Sequence, residues 1–391
     1  MKNPLNKRVL REIKGDFGKY SVIFLTLVLF IGMSSGFFIA AASLLYAYHE
    51  SFTKYNVEDG HFETQDRLNK SQIRQIEKLD IRLYDISYVE EELENESVIR
   101  IFANRDEVNQ ASILDGRLPE KEGEIALDRM FADNNSFSID DVIKSADKEY
   151  RIVGLVALSD YSTQFRENSD MMFDSMKFGV GVVDSSTFAE YDKVNITNNY
   201  AFKYNNPPED DEEESELAED LMLELNGMIG LEEFIPRYVN QAIQFTGTDF
   251  GSDRVVMQVL LYIIIVILAF IFTITINNTI SKESDVIGTL RASGYTKNEI
   301  IWHYMIPPVV VTVIAALIGN AIGYSFMRTV IAGIYYNSYS LPTYVTRWNA
   351  EAFVETTLVP VAIMMVVTYL SLRSKLKFTP LQFLRCRCFT K

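Results

Sequence analysis

Residues 255–280 read VVMQVLLYIIIVILAFIFTITINNTI, a run without a charge, bounded by Arg254 and Lys282. About 20 apolar residues in a helix cross the hydrocarbon core of a bilayer. A buried helix of a soluble domain is rarely this long and this apolar on every side. Three further runs repeat the pattern: Tyr20–Tyr48, Ile301–Met327 between Glu299 and Arg328, and the shorter Thr356–Leu372 between Glu355 and Arg373. The first follows Lys2, Lys7, Arg8, Arg11, Lys14 and Lys19, set against only Glu12 and Asp16. That flank suits a signal peptide, and Ala40-Ala41-Ala42 offers a cleavage site. The apolar run, however, is about twice a signal-peptide core and continues through Leu44-Leu45-Tyr46, so it reads as a retained anchor.

Charge is sorted along the chain in the same sense. The net charge of the 391 residues is −16. Between Glu50 and Arg254 there are 20 basic and 46 acidic residues, a net of −26, and the remainder carries 17 and 7, a net of +10. Basic residues are retained on the cytoplasmic side of membranes. The N-terminal segment and the tail 373–391 carry six Lys/Arg each, the loop 281–300 three and the loop 328–355 two. The expected fold class is therefore a multi-pass α-helical membrane protein with four transmembrane helices and an inserted α+β extracytoplasmic domain. The segments are 1–19 cytoplasmic, 20–48 first span, 49–254 outer domain, 255–280 second span, 281–300 cytoplasmic loop, 301–327 third span, 328–355 short outer loop, 356–372 fourth span and 373–391 cytoplasmic tail. This distribution places both termini in the cytoplasm of a bacterial-type plasma membrane. It also excludes a nucleic-acid binder as a reading of the whole chain.

No Asp, Glu, Lys or Arg lies near the middle of any span. Ion-coupled carriers usually need such a group to hold the driving ion, so a self-powered transporter is disfavoured. Small residues recur at four-residue spacing as Gly32, Gly36 and Ala40 in the first span and Ala315, Gly319 and Gly323 in the third. Such rows let helix backbones approach closely, and they are expected at a helix-packing or dimer interface. Asn320, beside the second row, needs a polar partner. Thr296 and Glu299 have capping-box spacing and start the third helix before its membrane part. Pro307-Pro308 then removes two backbone donors and is expected to kink that helix or begin its membrane segment.

The loop between the second and third spans reads SKESDVIGTLRASGYTKNEI over residues 281–300. Val286, Ile287 and Leu290 fall on one face of a short helix flanked by Glu283, Asp285 and Arg291, with Gly294 placed to end it. Its near-neutral charge favours docking on a cytosolic partner over resting on lipid headgroups. The run Glu283-x-x-Val-Ile-Gly-Thr-Leu-Arg-Ala-Ser-Gly-Tyr-Thr-x-x-x-Ile300 resembles the loop after the second transmembrane helix of FtsX/MacB-type ABC transporter permeases. Thr379-Pro380-Leu381-Gln382-Phe383-Leu384-Arg385 is similar to the segment after that family's fourth helix. Leu114–Pro119, Glu124–Leu127 and Ile152–Leu155 are similar to its periplasmic core domain.

This resemblance implies a coupling helix contacting a cytosolic ABC ATPase through Glu283, Val286, Ile287, Gly288, Leu290, Arg291, Gly294 and Tyr295. It also implies a second permease unit, as a homodimer or a sister chain. The chain contains no G-x-x-x-x-G-K-[ST] phosphate loop, so no cofactor is expected in it; ATP and Mg would be bound by the partner ATPase.

Within 50–254, β-rich runs occur at Ser97–Phe102, Gly123–Leu127, Tyr150–Leu158, Gly179–Val183 and Tyr200–Tyr204, and helical patterns near Lys70–Lys78, Thr187–Tyr191 and Glu216–Leu225. The six acids Glu209–Glu214 after Pro207-Pro208 read as an acidic helix start rather than a cation site. Leu217, Leu221 and Leu225 follow as its buried stripe. No nucleophile or base accompanies the other carboxylates, so no catalytic residue is expected. His49, His61 and His303 are the only histidines, and Cys386 and Cys388 read as free thiols, so no metal site is expected. The leading expectation is export of a peptide, lipid-linked or drug-like substrate by outer-domain movement. The alternative is a non-transporting transmitter that activates an extracellular enzyme or senses an antimicrobial peptide. A plain anchor would have no use for the 281–300 loop.

Overall fold

The computed structural model describes residues 14–145 and 148–377. The basic segment before Lys14, the family-like tail Thr379–Arg385 and both cysteines lie outside the described residues. Two compact units form: Ser43–Gly251 with Gly333–Val345, and a membrane unit made of the remaining segments.

Among the described residues, four helices are long and apolar enough to span a bilayer. α1 (Phe17–Lys54) contains the first charge-free run. α6 (Gln241–Lys282) begins well before Val255, its first turn held by Asn240, whose Oδ1 accepts from the Ala242 N–H at 3.0 Å. α7 is the short helix Ser284–Ala292. α8 (Lys297–Ile322) starts at a capping box between Thr296 and Glu299 and runs through Pro307 and Pro308. It passes through a π-helical turn, Gly323–Met327, into α9 (Arg328–Ser338). The last span joins α10 (Ala350–Phe353), a second π turn, Val354–Leu358, and α11 (Val359–Lys375).

The small rows of α1 and α8 face each other. A Cβ on Gly32 would stand 3.2 Å from the Gly319 carbonyl oxygen, and one on Gly323 would stand 2.7 Å from Ser35 Cβ. Ala40 and Ala315 are buried as well. The two rows thus pack against each other within one chain.

Asn320 is the polar centre of this packing. Its Oδ1 accepts from Ser35 Oγ and Thr356 Oγ1, both at 2.8 Å, and its Nδ2 donates to Thr357 Oγ1 at 2.9 Å. Three spans thereby meet at one amide, beside both π turns. Interhelical hydrogen bonds in membranes average about 0.6 kcal/mol each and reach about 1.7. Asn320→Leu is therefore expected to cost roughly 1–3 kcal/mol, read as a lower melting temperature of the detergent-solubilised chain.

The outer unit carries two sheets. The first has strand order β11-β1-β10-β2: Leu231–Pro236, Gly60–Thr64, Asn198–Tyr204 and Ile81–Asp85, all antiparallel. The helices α2 (Lys70–Ile76) and α5 (Asp211–Met228) contribute Ile76, Leu221 and Leu225 to its core with Phe62, Tyr200 and Phe202. Asp210 caps α5, so the acidic run is the start of a helix as expected. The second sheet has order β3-β4-β9-β6-β8-β5, with β7 on β8. These strands are Tyr88–Glu92, Val98–Ala103, Phe178–Val183, Glu124–Asp128, Glu149–Leu158, Ala111–Gly116 and Val142–Lys144. The short helices α3 (Arg129–Asn134) and α4 (Ser185–Phe188) complete the unit, and Phe131 of α3 sits in a core with Ile125, Leu127 and Ile152.

One boundary differs from expectation. The sequence predicts a short outer loop over 328–355. Instead α9 extends the third span to Ser338, and Gly333–Val345 packs as part of the outer unit.

Candidate functional site

The α7 segment is built from its ends. Gly294, at φ +101°, closes it: Tyr295 N–H donates to the Leu290 carbonyl at 3.1 Å and Gly294 N–H to that of Arg291 at 3.3 Å. This paired geometry is a Schellman cap, and glycine adopts the left-handed conformation without the penalty of a Cβ. On the inner side Ile287 is fully buried in a cluster with Ile276, Ile280, Ile300, Ile301, Tyr304 and Leu372. Glu283 accepts from the Tyr304 hydroxyl at 2.8 Å. The helix is therefore packed against the ends of α6, α8 and α11.

The expected coupling residues divide accordingly. Ile287 and Gly288 are buried and so unavailable to a partner, Leu290, Arg291 and Tyr295 are half-buried, and Val286 (42% exposed) and Gly294 face outward with Asp285 and Thr289. The expected apolar face of Val286, Ile287 and Leu290 is thus turned edge-on. Successive helical residues are about 100° apart, so Ile287 points into the chain while Val286 points away from it. Tyr304 is the partner that sequence reading missed. It lies 21 residues from Glu283, and no local pattern signals that contact.

A second constellation lies in the outer unit, around the segment that joins the third and fourth spans. Asp128 caps α3, accepting from the N–H groups of Met130 at 2.8 Å and Phe131 at 3.2 Å. Its carboxylate also accepts from Gln164 Nε2 and Ser340 Oγ. Ser340 N–H donates to the Ser162 carbonyl at 2.9 Å. Arg129 donates to the carbonyls of Tyr336 and Tyr339, and the Tyr339 hydroxyl donates to Asp249. Asp128 is completely buried, and desolvation pushes its carboxyl up to about 6. Asp128, Arg129, Ser162 and Asp249 thus clasp Tyr336, Tyr339 and Ser340 of the span-joining segment within the outer unit. The sequence hint was the N-cap position of Asp128 before Arg129-Met130-Phe131; nothing local linked it to Ser340.

Residues 259–380 match the family model for the FtsX-like permease C-terminal region. This segment is similar to FtsX-like permeases. It takes in the larger part of α6 and everything through α11, so α7 and Asn320 lie within it. FtsX-like permeases are membrane components of ABC transporters and work with a cytosolic ABC ATPase as a general kind of partner. Among solved structures, one match is the extracellular domain of the noncanonic ABC-type transporter YknZ from Gram-positive bacteria. It has 9% identity and a TM-score of 0.27, over 45% of this chain and 100% of that one. Another is the periplasmic region of MacB from Actinobacillus actinomycetemcomitans, with 12% identity and a TM-score of 0.28, over 49% and 91%. No curated protein matches the chain.

Proposed function

We propose that the chain is the permease subunit of an ABC transporter complex, with both termini in the cytoplasm. A separate ATPase, which binds the ATP and Mg, docks on the exposed side of α7. The observation that carries this reading is the division of α7 into an outward side at Asp285, Val286 and Thr289 and an inward side bolted to three spans. Nucleotide-driven movement of the partner then displaces the ends of α6, α8 and α11 together. α1 and α6 each run unbroken from the membrane unit's residues into those of the outer unit, and displacement is passed along these two helices. Its movement expels a peptide, lipid-linked or drug-like substrate. A second permease unit pairs through surfaces other than the filled glycine rows.

The clasp also favours a second reading, in which the outer unit transmits the stroke to an extracellular enzyme or peptide and nothing is transported. Recovery of a hydrolase on the outer unit would select it.

The test is affinity purification in mild detergent. Co-purification of an ABC ATPase is expected, and failure to recover one overturns the proposal. Val286→Asp is expected to reduce permease-stimulated ATPase activity by about tenfold or more, equivalent to roughly 1.4 kcal/mol of coupling, with melting unchanged. Val286 is the better probe than Glu283, whose reversal would also break the internal bond to Tyr304.

A further inference from the structure

We infer that the free edge of β2 is a strand-addition site for an extended segment of another polypeptide, one that alternates apolar and basic side chains. β2 is the terminal strand of the first sheet. Ile86 N–H donates to the Asn199 carbonyl and Asn205 N–H to that of Asp80, both at 2.9 Å. In the antiparallel register of β2 and β10 these fix Asp80, Arg82, Tyr84 and Ile86 as the residues bonded to β10. The N–H and C=O of Leu83 and Asp85 therefore point away from the sheet, and among the described residues none bonds to them.

Two cavities, of about 650 and 480 Å³, border this strand, and Leu83, Tyr84 and Glu107 line both. The larger is walled by Phe188, Tyr191 and Ile196 and holds Asp85, Asp106 and Glu107 beside Arg67, Arg105 and Lys193; the smaller holds Glu77 and Glu107 beside Arg82. An added strand turns alternate side chains to opposite faces, so its apolar residues would meet the aromatic wall and its basic residues the carboxylates. Lipids, sugars and ions lack donors and acceptors repeating every second residue, about 6.8 Å apart, along an edge. The net charge of −26 over 50–254 attracts a basic strand of this kind. Sequences usually protect such edges with bulges, prolines, charges or covering loops; β2, reading IRLYD, has no proline and no register shift against β10, and its charges are Arg82 and Asp85.

The experiment uses the full chain in detergent at physiological salt. The probe is a fluorescein-labelled nine-residue peptide of alternating valine and lysine, beside a twin N-methylated at every second residue. Fluorescence anisotropy is expected to show saturable binding of the parent and at least about tenfold weaker binding of the twin, which has the same charge. Leu83→Pro, which removes an N–H that faces away from β10, is expected to weaken the parent to the same degree while the melting temperature is kept. If that variant unfolds, the twin alone decides. Equal binding of parent and twin, or no binding of the parent up to about 1 mM, overturns the inference. A concentration-dependent dimer that Leu83→Pro abolishes and the peptide fails to compete assigns the edge to a second copy and also overturns it. The site does not depend on the permease proposal: Val286→Asp is expected to leave peptide binding unchanged.

Discussion

Asp128→Ala is expected to destabilise the full chain by roughly 3 kcal/mol or more, measured as the loss of unfolding free energy in detergent. Loss of an N-cap costs about 0.5–2 kcal/mol, and the truncation leaves Gln164 and Ser340 without their acceptor at a buried site, which costs about 1–3 kcal/mol for each stranded group. Asp128→Asn separates shape from charge. An amide oxygen can accept from Met130, Phe131 and Gln164, and its amine can donate to Ser340 Oγ. The carboxyl of Asp128 has its folded pKa raised to about 6 from an ordinary 3.8. Its contribution to stability is therefore fully present below about 3.8 and is lost as pH rises through about 6, an expected decline of about 3 kcal/mol. The Asn variant is expected to lack that decline and to match or exceed the wild type at neutral pH. Desolvation also raises the carboxyls of Glu63 and Asp160, so the measured quantity is the difference between the two chains between about pH 4 and pH 7.5. Parallel curves would show that Asp128 is not the group responsible. Under the proposed mechanism Ser340→Ala lowers transmission to the outer unit more than it lowers stability.

Gly36→Leu is the other large effect, in the membrane unit. A Cβ at Gly36 would lie 2.5 Å from Met327 Cβ and 2.9 Å from the Arg328 backbone nitrogen. The obstacle includes backbone, so no rotamer relieves it and α1 must separate from the third span. Overpacking typically costs about 1–3 kcal/mol; here the upper end is expected, with loss of the monodisperse peak in size-exclusion chromatography. Gly32→Ala is the control. Its Cβ approaches the Gly319 carbonyl oxygen at 3.2 Å, a tight but adjustable contact, and its expected cost is below about 1 kcal/mol. Equal tolerance of both variants would mean that the two rows do not pack in the membrane as they do here.

Legibility followed the range of each interaction. The spans, the Thr296 capping box, the Gly294 stop and the acidic start of α5 are readable because each depends on residues within a turn or two of one another. Five strand runs of the outer domain were equally plain, being continuous or alternating apolar segments. β3, YVEEE, and β11, LEEFIP, were not. Their glutamates suggest solvent-facing loops, and only pairing with β4 and β1 makes them strands. The extensions of α6 and α9 beyond the apolar runs were also hidden, because a charge ends a hydrophobic run without ending a helix.

By itself the sequence determined that the chain is anchored by four apolar spans, that its acidic segment forms a separate α+β unit, and that a short capped helix lies between the second and third spans. Those features rest on local composition, periodicity and capping, which the order of residues carries directly. The tertiary structure alone decided that the glycine rows fill one another, that Ile287 faces inward and Val286 outward, and that Asp128 grips Ser340 across 212 residues of chain. Such contacts depend on which surfaces meet once desolvation and close packing have selected a single arrangement, and no periodicity in the sequence encodes that choice.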